Sequence, residues 1–117
     1  MRRRRETLLI TYASERVEKY FVDYKLMQRK LPADWVRNIK KHIDRLRAAE
    51  CFEDFLKLGL GKPERLTGYT GRYSLHVSAN ARLIIELVIE EQDEKCKIIE
   101  IEGVSDYHGD KENWYLP

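Results

Sequence analysis

Arg72-Tyr-Ser-Leu-His-Val-Ser78, Ala79-Asn-Ala81, Arg82-Leu-Ile-Ile-Glu-Leu-Val-Ile89 is the stretch that decides the fold. Its first seven residues alternate between apolar and polar. That period of two belongs to a strand with one buried face. Tyr73, Leu75 and Val77 fall on one side, and Arg72, Ser74, His76 and Ser78 on the other. Ala79-Asn80-Ala81 reads as a turn. Arg82 to Ile89 reads as the returning strand, with Leu83, Ile85, Leu87 and Ile89 inward and Arg82, Ile84 and Glu86 on the open side. A charged loop, Glu90 to Lys95, separates this hairpin from a further strand over Lys97 to Gly103, after which Val104 leads into Asp106-Tyr107-His108. On the other side, Glu64 to Gly68 is a short extended lead-in to a turn at Tyr69-Thr70-Gly71.

Further upstream the period changes. Thr7 to Ala13 is a short strand. Ser14 is a helix N-cap residue and Glu15 is favourable in the first turn. Val17, Tyr20, Phe21, Tyr24 and Met27 then recur at helical spacing, so one helix is predicted up to Leu31-Pro32. A second begins there, with Pro32 tolerated in its first turn and an apolar stripe of Trp35/Val36, Ile39, Ile43 and Leu46. His42 borders that stripe. Phe52, Phe55, Leu56 and Leu58 are expected to cover one end of the core. Strand, two helices, then strands predicts an α+β fold of two layers, with a helical hairpin packed on one face of a mainly antiparallel sheet. At 117 residues the chain suits one domain, residues 1–117, with residues 1–6 as a disordered basic arm.

Charged residues make up 36% and hydrophobic residues 43%, a globular balance. No apolar run reaches membrane length. The arginines at the start are followed by Leu8-Leu9-Ile10 alone, too short for a signal peptide. Cys51 and Cys96 have no metal-ligand spacing, and buried thiols in a reducing cytoplasm are expected. Net charge is +2, unevenly distributed. Residues 1–82 hold 19 Lys/Arg against 10 Asp/Glu (+9), and residues 83–117 hold 3 against 10 (−7), which sums to the whole. The basic part points to a polyanion or a ribosome surface, although charged helix faces are also simply solvated. The acidic part is expected to lie away from any RNA path.

The polar residues of the open side carry a chemistry. Imidazole moves protons near neutral pH, and guanidinium holds phosphate oxygens that are gaining charge. His76, Arg82 and Asp106-Tyr107-His108 therefore contain the parts needed to cleave RNA without a metal. Taken alone, the same tripeptide also fits a structural end to the sheet, with Tyr107 in the core and Asp106 capping a turn. Trp114-Tyr115-Leu116 is expected to fold back on the domain.

Leu66-Thr-Gly-Tyr-Thr-Gly-Arg-Tyr-Ser-Leu-His-Val-Ser-Ala-Asn-Ala-Arg-Leu-Ile, a strand, and then Asp106-Tyr-His resembles the plasmid-maintenance killer (HigB-like) branch of the RelE/ParE toxins. The resemblance runs from about Leu31 to His108. It implies a RelE-like fold and the toxin of a type II toxin–antitoxin pair, an mRNA endonuclease acting in the ribosomal decoding site without metal or cofactor. It also implies a helix-turn-helix antitoxin as partner, operator DNA bound only through that antitoxin, a cytoplasmic location and no membrane. Carried over by position, Arg82 stabilises the phosphate, His108 transfers a proton, Tyr107 stacks or hydrogen-bonds, and Asp106 orients His108 or shares the proton transfer. Arg65, Arg72 and His76 are candidate phosphate contacts. Thr67 and Ser78 stand where the family has Lys and Arg, so two expected cations are absent. Arg65 and His76 are the candidates to compensate. A toxin that acts by binding, as in the ParE branch with DNA gyrase, and a relative that retains antitoxin binding without cleavage are the competing readings.

Overall fold

Ser14 ends the first strand, β1 (Leu9–Tyr12), and starts the first helix, α1 (Glu15–Val22), its hydroxyl accepting the Val17 N–H at 3.2 Å. These elements belong to a computed structural model that describes residues 7–90, 94–106 and 114–117. The basic arm and the pair Tyr107 and His108 lie outside the described residues. Val17, Tyr20 and Phe21 form the buried side of α1.

The single helix predicted from Ser14 to Leu31 is broken. Asp23 sits in extended conformation and its carboxylate accepts from Lys25 and Leu26 N–H, capping a separate helix α2 (Tyr24–Gln28). A short acidic side chain that bonds nearby N–H groups competes with helix continuation. The second predicted helix is α3 (Ala33–Ala48), entered at Pro32, with Val36, Ile39, His42, Ile43 and Leu46 buried. The stretch rich in Phe and Leu forms α4 (Phe52–Lys57), which buries Phe52 and Phe55, whereas Leu58 is exposed.

The other strands are β2 (Glu64–Arg65), β3 (Arg72–Ser78), β4 (Ala81–Val88), β5 (Ile98–Asp106) and β6 (Trp114–Leu116). Their order is β1-β5-β4-β3-β2, with β6 also on β5. Every pairing is antiparallel except β1 with β5. The architecture is thus α+β, with four helices and a mixed, mainly antiparallel sheet among the described residues. Leu75, Val77, Leu83, Ile85, Ile99 and Ile101 join Phe21, Ile39, Ile43, Leu46 and Phe55 in one apolar cluster, which puts the helices on one face of the sheet. Ile89 was expected inward. It lies beyond the end of β4, where pairing stops at Val88, and is 65% exposed. Cys51 and Cys96 are free and buried, and the Cys96 thiol donates to the Ile98 carbonyl at 3.1 Å. Trp114-Tyr115-Leu116 does fold back: Leu116 is fully buried opposite Val104, and Tyr115 meets the Trp35 ring edge-on at 5.1 Å. No helix of the described residues is long and apolar enough to cross a membrane.

One irregularity governs the open face. Ile84 pairs with Gly103 and Ile85 pairs with Ile101, so Glu102 has no opposite number and β5 carries a bulge. Gly103 adopts φ +143°, and a Cβ there would run into the Leu116 carbonyl. Only glycine permits both the backbone angle and the approach of β6.

Candidate functional site

Register assigns side chains to faces, because Cα partners across a strand pair share a side. On the face away from the helices, Arg72 lies opposite Glu86, Ser74 opposite Ile84 and His76 opposite Arg82. The row continues onto β5, where Ile84 meets Gly103, Arg82 meets Ser105 and Glu86 meets Glu100. Ser74 and Ile84 are buried at its centre although they lie outside the main apolar cluster. The rim is therefore polar and half-buried: Arg72, His76, Arg82, Glu86, Glu100 and Glu102.

Three of the residues singled out in the sequence come together here: Arg72, His76 and Arg82. Arg65 does not join them. It pairs with Tyr73, whose ring packs edge-on against Phe52 at 4.9 Å on the helix side, so alternation turns Arg65 away from the row. Asp106 stands opposite Ala81, a core residue, one step out of phase with Arg82. The bulge at Glu102 causes that change of phase. Ser78 accepts the Asn80 N–H at 3.1 Å and so shapes the β3–β4 turn.

Glu86 was expected on this face, and Glu100 and Glu102, also from the acidic part of the chain, join it there. The three form one stretch of its rim, each offering a carboxylate oxygen within 4.8 Å of the others. Glu102 holds its proton up to about 7, first because burial disfavours its charge and then because Glu100 lies beside it. Arg72 offsets part of the remaining charge. Its Nε lies 3.6 Å from Glu86 Oε1, and its guanidinium stacks 4.5 Å from the Tyr69 ring centre. The carboxylates are also the one group among the described residues with spacing that suits a divalent cation bound through oxygen. A bound cation and a shared proton are alternative ways to offset their repulsion. The strict alternation Ile99-Glu100-Ile101-Glu102 was the sequence signal for this cluster.

A second group lies at the edge of β3, just past β2. His42, on the buried stripe of α3, donates Nε2–H to the His76 carbonyl at 2.6 Å. Asn38, one helical turn earlier, donates to the Val77 carbonyl at 2.9 Å. The His76 N–H reaches the Gly61 carbonyl at 2.8 Å. These bonds close an edge that β2 is too short to cover. Gly61 lies so close that a Cβ on it would be 2.7 Å from His42 Cε1. Burial, and then the Arg45, His76 and Lys41 charges against the opposing bond to His76, hold the His42 pKa below its ordinary 6.5. Burial followed by Arg82 and Lys62 does the same for His76. Both rings are therefore neutral at pH 7, and the bond to His76 puts the His42 proton on Nε2. No family model matches the chain, and no curated protein or solved structure matches it either.

Proposed function

We propose that the protein is a RelE-like toxin of a type II toxin–antitoxin pair that cleaves messenger RNA on the ribosome and is neutralised by a helix-turn-helix antitoxin. The observation that carries this reading is the register pair His76–Arg82 on the helix-free face, one strand from the end of β5 that leads into Tyr107-His108. A neutral imidazole beside a guanidinium is the pair that RNA transesterification asks for. The 2′-hydroxyl loses its proton to an imidazole while its oxygen attacks the adjacent phosphorus. Arg82 stabilises the charge gathering on the non-bridging oxygens. The P–O5′ bond breaks, the 5′-oxygen takes a proton, and a 2′,3′-cyclic phosphate remains. His108 is the proposed donor of that proton, Tyr107 a stacking partner for a base, and Asp106 an orienting group. The work would be done in the cytoplasm.

The test is to map breaks in translated mRNA in a cell extract with and without the protein. Cuts that require ribosomes, and that vanish with Arg82→Ala, support the proposal. Intact transcripts at protein levels matching the ribosomes refute cleavage. The carboxylates Glu86, Glu100 and Glu102 favour a second reading: a RelE-fold protein that binds without cutting, since an acidic patch on the same face as Arg82 repels a phosphate backbone. Intact mRNA together with tight antitoxin binding is its signature.

A further inference from the structure

Between α3 and the Gly61-Lys62 segment lies a cleft of about 230 Å³, lined by Asn38, Lys41, His42, Gly61, Lys62 and His76. Among the described residues no carboxylate lines it. Two of its walls have features that packing alone does not require. His42 is 95% buried, yet its Nδ1 has no hydrogen-bond partner among the described residues. In the Nε2–H tautomer that atom is an acceptor, so a water that donates one O–H to it and the other to a bound anion would satisfy it. Lys62 is the one described residue other than glycine with positive φ, at 45°. Holding a long side chain in the left-handed region costs on the order of 1 kcal/mol or more. Here it sets a lysine at the mouth of the cleft, near enough for its charge to act on His76.

We infer that this cleft binds a phosphate of the RNA backbone, adjoining the phosphate held at Arg82. The inference rests on the reading of the protein as an RNA-binding toxin. His76 links the two positions: its register partner is Arg82 and its ring lines the cleft. The cations Arg82, Lys62 and Lys41 then form a track that leaves the open face over the edge of β3 and passes onto α3, away from Glu86, Glu100 and Glu102. Lys41 and Lys62 donate to the phosphate oxygens, as does the Asn38 amide when its bond to Val77 is shared. His42 is a positioning residue that holds the His76 carbonyl and the loop in place.

The experiment titrates the intact chain with a 2′-deoxy tetranucleotide, which carries the backbone charge and cannot be cleaved, and follows the imidazole signals by NMR. The chain has 3 histidines, so assignment is tractable. Saturable shifts of His42 and His76 are expected. Lys41→Ala and Lys62→Gln should each weaken binding roughly three- to tenfold. Together they should reduce the slope of log K against log salt by about 0.7, one phosphate of a single strand. Lys19→Ala, on the helix that packs against β1 and β5, should change neither. Shifts absent from His42 and His76, or equal weakening by Lys19→Ala, overturn the inference. Inorganic phosphate binding as tightly as the tetranucleotide also overturns it, since the cleft would then be a site for small anions. If mRNA stays intact while the tetranucleotide binds with these dependences, the cleavage reading fails and the cleft stands. If mRNA is cut while His42 and His76 stay silent, the cleft alone fails.

Discussion

Replacing His42 by Leu isolates the bond that closes the edge of β3. Leucine suits the apolar stripe of Ile39, Ile43 and Leu46 and fills most of the ring's volume, so the main loss is a donor. The His76 carbonyl, which accepts from His42 at 2.6 Å, is left without it. Orphaning a partly buried carbonyl costs about 1–3 kcal/mol. In a domain of this size that is a fall in Tm of roughly 3–15 °C. Acid supplies the decisive measurement. The folded-state pKa of His42 lies below its ordinary 6.5, so the unfolded chain binds the proton more readily. The contribution of neutral His42 is therefore fully present above pH 6.5 and is lost as pH falls towards the folded value. The slope is at most about 1.4 kcal/mol per pH unit. Urea unfolding of both proteins from pH 7.5 to 5 should show the largest gap at pH 7.5 and a narrowing gap below 6.5. A gap that stays constant across this range, or a variant as stable as the parent at pH 7.5, refutes the assignment of His42 as a buried neutral donor.

Arg82→Ala should abolish mRNA cleavage with little change in urea midpoint, whereas fully buried Leu83→Ala should cost about 2–5 kcal/mol; equal losses for the two would mean the faces of β4 are assigned wrongly. Gly103→Ala should detach β6, because its methyl meets the Leu116 carbonyl; a loss of roughly 2–4 kcal/mol and a change in the tryptophan emission report it, and an unchanged spectrum speaks against the packing described. Glu102→Gln mimics a carboxyl whose pKa is raised from 4.5 to about 7. Wild-type stabilisation from that proton is present below 4.5 and lost as pH rises through 7, so the variant should gain on the parent from pH 5 to 8, and parallel stability curves would contradict the shared proton.

The alternation of Arg72 to Ser78 was legible because a buried face imposes period two, and Leu75, Val77, Leu83 and Ile85 all point where their pattern says. Helix endings were less legible. Asp23 broke a run whose apolar spacing continued through Tyr24 and Met27, since spacing records which face is buried and not whether the backbone is continuous. His42 looked like a boundary residue because its donor role depends on the β3 edge, 34 positions away, and nothing local records that β2 is only two residues long. The bulge at Glu102 was the costliest omission. By strict alternation from Ile99 and Ile101, Asp106 falls on the open face beside Arg82. One extra residue moves Val104 into the core and sets Asp106 opposite Ala81. The only trace of this in the sequence is Gly103 itself, a glycine inside an apolar strand. Gly103 and β6 depend on each other. The bulge makes room for the Leu116 carbonyl, and the pairing of β6 with Val104 and Ser105 holds the bulge in register. The placement of Asp106, the last residue of β5, is therefore set by a tail contact more than ten residues from Gly103, and it is a property of the folded sheet and not of the local sequence around Asp106.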